Sequence, residues 1–236
     1  MLRGLALALL MAQPVAAEGI ASARYEAPTD RYGHGALAGG EWAELVLVLE
    51  GGAERRFALP GDMVFEDVAP HLADLTGDGV VAAVVVESQI AQGTRLAIWG
   101  PEGRIDAGPF IGTTHRWLAP LGAADLNGDG RQEFAFVVRP HLDAVLSVAR
   151  FGPAGFEVLA EAAGLPSHKL ASPLLEGGVI DCAGRAMLLT ADARWRNVVL
   201  SRLEGGGLVH EVLGAYDGPQ SFAATAAAMG CDFRAP

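Results

Sequence analysis

Two stretches of this chain are near copies of each other, and a sequence that repeats at a fixed interval folds as like units packed side by side. Val64-Phe-Glu-Asp-Val-Ala-Pro-His-Leu-Ala-Asp74-Leu-Thr-Gly-Asp-Gly79 aligns with Thr114-His-Arg-Trp-Leu-Ala-Pro-Leu-Gly-Ala-Ala-Asp125-Leu-Asn-Gly-Asp-Gly130. The Ala-Pro pairs and the Asp-Leu-x-Gly-Asp-Gly loops coincide to within one residue. A fainter third copy runs from Ser167 to Arg185, and partial copies begin at Gly33 and Gln220. The marker prolines Pro70, Pro120 and Pro173 stand 50 and 53 residues apart. A period near 50 is that of propeller blades and similar arrays.

Within each unit the pattern is that of strands. Leu45–Leu49, Val80–Val86, Phe134–Val138 and Ala186–Thr190 are short apolar runs, each following a glycine-rich loop, as expected of strands buried on both faces. Arg95–Trp99, Val145–Phe151, Val198–Leu203 and Phe156–Glu161 follow further turn signals, which gives four short strands per unit. The expected fold is all-β: a small β-propeller of about four to five four-stranded blades in a single domain, residues 18–236. Its repeat units are expected at 33–64, 65–114, 115–167 and 168–220. Residues 221–236 are read as a closing strand that pairs into the incomplete first unit and removes open sheet edges. The alanines between Ser221 and Met229 favour a helix by propensity alone, and an open, incomplete propeller is the alternative.

Residues 1–17 have the layout of a secretory signal peptide: Arg3, an apolar run from Gly4 to Met11, Pro14, and the small-residue ending Val15-Ala16-Ala17. The run is too short for the roughly 20 apolar residues of a spanning helix, so no membrane insertion is expected. The mature protein is expected to be periplasmic or secreted. The formal charge of −11 disfavours nucleic acid and anionic membrane surfaces as partners and favours cations, divalent ions included. Cys182 and Cys231 read first as a disulfide in an oxidising compartment, with two buried free thiols as the alternative.

A calcium ion takes several oxygen ligands at once, so a loop that holds it needs acidic or amide oxygens at alternating positions and a glycine at the bend. The second repeat supplies Asp125, Asn127 and Asp129, then Gly130, the Arg131 carbonyl and Glu133. An EF-hand would also need a glutamate at its twelfth position, but Phe136 stands there inside a strand-like run. The first repeat is weaker: Asp74, Thr76, Asp78 and the Val80 carbonyl are present, with Ala82 in place of the last carboxylate. The third has Asp181 followed by Ala183 and Arg185, where an arginine is expected in place of an ion. The competing reading is an Asx-rich turn whose carboxylates bond its own backbone amides.

These two loops, Ala73-Asp-Leu-Thr-Gly-Asp-Gly79 and Ala124-Asp-Leu-Asn-Gly-Asp-Gly-Arg-Gln-Glu133-Phe, resemble the FG-GAP/VCBS repeats of integrin-like β-propellers. The resemblance covers two stretches of some 20 residues and implies a propeller whose calcium ions brace its blades, often in extracellular or periplasmic binding proteins. The chain departs from that pattern in having few units, one complete loop, and no Phe-Gly/Gly-Ala-Pro signature.

Other chemistry is thinly represented. His34, His115 and His168 fall at similar places in three units, which suggests either a metal ring or locally hydrogen-bonded strand ends. His71, His141 and His210 show no partner spacing. Zinc, nucleophile-elbow, P-loop and dinucleotide motifs are not found. Glu41, Glu44, Asp62, Glu66 and Asp67 are the acids to check for a glycoside-cleaving pair, and Trp42, Trp99, Trp117 and Trp195 for a sugar-stacking face. The expectation is a monomeric calcium-binding module for a protein or glycan rather than an enzyme. The alternative is a polysaccharide hydrolase or lyase with carboxylates at the propeller axis.

Overall fold

The computed structural model describes residues 18–37, 40–152, 154–170 and 172–236. The expected signal segment, residues 1–17, lies outside the described residues. Among the described residues seventeen strands and one helix follow in chain order. The first group is β1 (Ile20–Pro28), β2 (Glu41–Leu49), β3 (Glu54–Ala58) and β4 (Met63–Glu66). Next come β5 (His71–Ala73), β6 (Ala82–Gln89), β7 (Gly93–Gly100) and β8 (Gly103–Ala107). The third group is β9 (Leu118–Ala124), β10 (Glu133–Val138), β11 (Val145–Gly152) and β12 (Gly155–Ala162). The last is β13 (Gly178–Cys182), β14 (Arg185–Ala191), β15 (Asn197–Glu204), β16 (Gly207–Ala215), α1 (Gln220–Ala228) and β17 (Asp232–Arg234).

Among the described residues all the strand pairings are antiparallel, and they form three sheets, none of them closed. The second sheet, β9 to β12, is the four-stranded unit expected of one repeat, and β13 to β16 form another, extended by β17. The first sheet has eight strands because β4 joins two units, pairing with both β2 and β6. Its cause is a mismatch of length. The three residues of β5 pair only with Ala82–Val84, so the far end of β6, Glu87–Gln89, is left for β4.

The apolar runs separate into two faces once the two-residue period of a strand is applied. Phe134 and Phe136 of β10 pack with Val84, Val86, Leu96 and Ile98 of the first sheet. The intervening Ala135 and Val137 pack with Val179, Ala186 and Leu188 of the third. In the first sheet Val84 and Val86 face the second sheet, while Ala83 and Val85 face Leu45, Leu47 and Leu49 of β2. Each central strand is thus buried on both sides, which is why its sequence reads as continuous rather than alternating. Corresponding strands lie side by side: β9 beside β5 and β13, and β12 beside β8 and β16.

The C-terminal segment corrects the expectation of a closing strand at 221–236. Gln220–Ala228 is a helix, and β17 pairs with β13, not with the first unit. Alanine's helix propensity decides the local form, and Gly230 in the left-handed region (φ 69°) ends it. Phe222 and Ala226, four residues apart, bury against Ile180, Leu189 and Leu200. They cover the face of the third sheet that ring closure would have turned toward the first unit. The Cys182–Cys231 disulfide, with Cα atoms 4.4 Å apart, pins the helix and β17 to β13.

Candidate functional site

The two repeat loops occupy equivalent places, one between β5 and β6 and the other between β9 and β10. Three internal hydrogen bonds are common to both, and in the second the Asp129 N–H also bonds Asp125 Oδ1 and Asn127 Oδ1. Asp74 Oδ1 accepts from Gly77 N–H at 2.8 Å and Oδ2 from Gly79 N–H at 2.9 Å. Asp125 accepts likewise from Gly128 at 2.7 Å and Gly130 at 2.8 Å. Asp78 then accepts from Val80 N–H at 2.9 Å, and Asp129 from Arg131 N–H at 3.0 Å. Those backbone donors hold both the Asp78 and Asp129 carboxyls below the usual carboxylate range. The bends rest on Gly77, Gly79, Gly128 and Gly130, with φ between 73° and 86°, a region glycine enters without strain.

Glu133 sets the second loop apart. Its side chain is fully buried, and Oε2 accepts the Leu126 N–H at 3.0 Å. Oε1 accepts from the Asn127 amide at 3.1 Å and from the Arg150 guanidinium. The same guanidinium reaches Asp129 Oδ2 at 2.7 Å. Arg150, on β11, therefore lies where Asp129 and Glu133 converge, while Asp125 is turned to the loop amides. Ala82 replaces this glutamate in the first loop, where Asp74 and Asp78 accept only from the loop backbone and Thr76.

The donor set suits a hard cation: three carboxylates and the Asn127 amide oxygen lie within one nine-residue turn, with the Arg131 carbonyl at its bend. As drawn, Arg150 supplies the positive charge, and among the described residues no three His, Cys, Asp or Glu side chains are gathered as a metal-ligand group. A calcium ion would have to displace or share the carboxylates with that guanidinium. At the third copy Asp181 accepts from Gly184 N–H at 2.7 Å, but Arg185 reaches Glu204 instead of the turn. An arginine does stand beside loop carboxylates, but in the second loop and from the next strand, a contact that spacing within the loop could not reveal.

Four of the histidines, His34, His115, His141 and His168, gather at the other end of the strands. His34 Nδ1 lies 2.6 Å from Glu66 Oε1, and its ring stacks on His115 at 5.1 Å, nearly parallel. His115 takes both polar atoms of Tyr32, its backbone N–H bonding the hydroxyl at 3.0 Å and Nε2 meeting the carbonyl at 3.2 Å. His168 is buried between the Ser172 carbonyl at 2.9 Å and His141 at 2.6 Å. The partners that spacing did not show for His71, His141 and His210 are Asp67, His168 and Ser201.

The candidate acids are dispersed among structural tasks. Glu41 accepts from the backbone of Gly33 and His34, Glu66 from Ser88, and Asp67 from Val68 N–H. Burial pushes Glu66 up against the opposing pull of His34 and Ser88. Glu44 lies near Arg56, and Asp62 accepts from Gln89. Trp99 and Trp117 are core residues whose indoles donate to Glu87 and the Glu66 carbonyl. No family model matches the chain, and neither a curated protein nor a solved structure matches it.

Proposed function

We propose that this chain is an exported, calcium-binding β-repeat protein that serves as a binding module for a protein or glycan and not as an enzyme. The observation that carries the reading is one loop design used twice, with three hydrogen bonds in common and Glu133 adding a buried carboxylate to the second copy. Calcium at Asp125, Asn127, Asp129, Arg131 and Glu133 would brace the β9–β10 bend by taking over the role of the Arg150 charge. The loop at Asp74, Thr76, Asp78 and Val80 would bind more weakly for want of that glutamate. Side-by-side packing of corresponding strands supports an open, propeller-like arc of blades, β5–β8, β9–β12 and β13–β16, with a partial blade before them. The disulfide supports export, since such bonds persist in oxidising compartments.

The test is calcium titration by calorimetry on the mature chain and two variants. Asp129→Ala is expected to remove most of the calcium affinity and Asp78→Ala little of it. The opposite ranking, or no heat of binding in the parent protein, would overturn the proposal.

A further inference from the structure

At the end of β9 and β10 opposite the calcium loop, about 20 Å away along the seven residues of β9, lies a second feature of different chemistry. A depression of about 150 Å3 is lined by His34, His115, Arg116, Arg139 and His141. No aspartate or glutamate lines it, although the chain carries a net charge of −11. We propose that this depression binds the carboxylate or phosphoryl group of an organic anion, and that the body of the ligand occupies the adjoining cavity.

The donors are held in place by contacts behind them. The Arg139 guanidinium is gripped at two points by Asp143, with Nε 2.7 Å from Oδ1 and a second nitrogen on Oδ2, and its backbone N–H bonds the Trp117 carbonyl at 2.8 Å. His115 is fixed by Tyr32 and stacked on His34, which Glu66 anchors. Arg116 bonds only the His115 carbonyl, at 3.3 Å, and keeps its other donors for a ligand. The Arg116 guanidinium, together with the Arg139 donor that Asp143 leaves open, would repel a metal ion and suits the oxygens of an oxyanion.

Backbone strain marks the same place. His115 (φ 54°) and Arg139 (φ 49°) are held in the left-handed region, as are Ala144 and Trp195 next door. Such conformations cost about 1–2 kcal/mol each for residues with a Cβ and collect where a site needs them. The adjoining cavity, about 360 Å3, shares Pro140, His141 and Leu142 and includes Lys169, the exposed Leu170, Trp195 and Asp143, whose charge Arg139 pairs. The smaller depression has room for one anionic group, and the larger reaches the roughly 300–1,000 Å3 of small-molecule sites. Proton positions follow from the partners. His168 Nε2 faces the Ser172 carbonyl and must donate, so in its neutral form Nδ1 accepts from His141 Nε2–H, and the pair, His141 lining both cavities and His168 the larger, adds no charge there.

The inference names a ligand class for the binding role proposed above but does not rest on calcium. It is tested on the mature chain by following the four tryptophan indole N–H signals in NMR titrations with inorganic phosphate and with acetate, against chloride at matched ionic strength. The expected result is a saturable shift of Trp117 for at least one oxyanion, with Trp99 unmoved. The tighter of the two assigns a phosphoryl or a carboxyl group. Arg116→Gln is expected to weaken binding about tenfold or more, the loss of one charge-assisted hydrogen bond. Arg116→Glu is expected to abolish it while the Trp99 signal reports an intact fold. No saturable shift with either anion, or equal affinity in Arg116→Gln, would overturn the proposal. A calcium titration of the same sample reports separately on the loop.

Discussion

Replacing Arg150 by glutamine tests the calcium reading at the one contact that competes with it. Glu133 is fully buried, and without the guanidinium it keeps only Leu126 N–H and the Asn127 amide. A hydrogen bond between charged groups contributes about 1.5–3 kcal/mol, while the half-exposed contact to Asp129 is screened and adds little. A loss of about 2 kcal/mol lowers the melting temperature of a chain this size by about 4–8 °C. Calcium at a hundred times its Kd returns about 2.7 kcal/mol by mass action, and it no longer has an arginine to displace. Thermal melts followed by circular dichroism, in EGTA and in excess calcium, are therefore expected to show Arg150→Gln destabilised without the ion, restored by it, and shifted by calcium more than the parent. Identical melting with and without calcium in both proteins would refute the reasoning. An Arg150→Gln protein as stable as the parent in EGTA would show that Glu133 does not depend on this charge.

Three other outcomes follow from the structure. Replacing Cys182 and Cys231 by serine opens a loop with a sequence separation of 49, worth about 4 kcal/mol in the chain-entropy treatment, and denaturant melts are expected to show that loss. Phe222→Ala leaves a gap between α1 and the third sheet and is expected to cost about 3–5 kcal/mol, read in the same melts. Burial, with His168 beside it, holds His141 down to about 4, and burial holds His168 below the ordinary histidine range. Unfolded histidine titrates near ~6.5, so between there and about 4 the unfolded chain binds a proton that native His141 refuses, and His168 acts in the same direction. Their contribution is complete above that window and falls as pH drops through it. Melting temperatures from pH 7 to pH 4.5 are expected to decline, less steeply in His141→Asn.

What could be read in the sequence was local or periodic. The β class follows from apolar runs of strand length between glycine turns, and the equivalence of the two loops from Asp-Leu-x-Gly-Asp-Gly, because each hydrogen bond the two loops share spans no more than six residues of chain. The disulfide was legible because two cysteines allow a single intramolecular pair. Tertiary structure decided the rest. Ring closure depends on what covers the last sheet, and Ser221–Met229 could be placed only once Phe222 and Ala226 had a face to bury against. Arg150 reaches Glu133 across 17 residues, Glu66 reaches His34 across 32, and His141 reaches His168 across 27. Contacts of that span are set by which strands pair and in what register, and no local pattern of residue types encodes them.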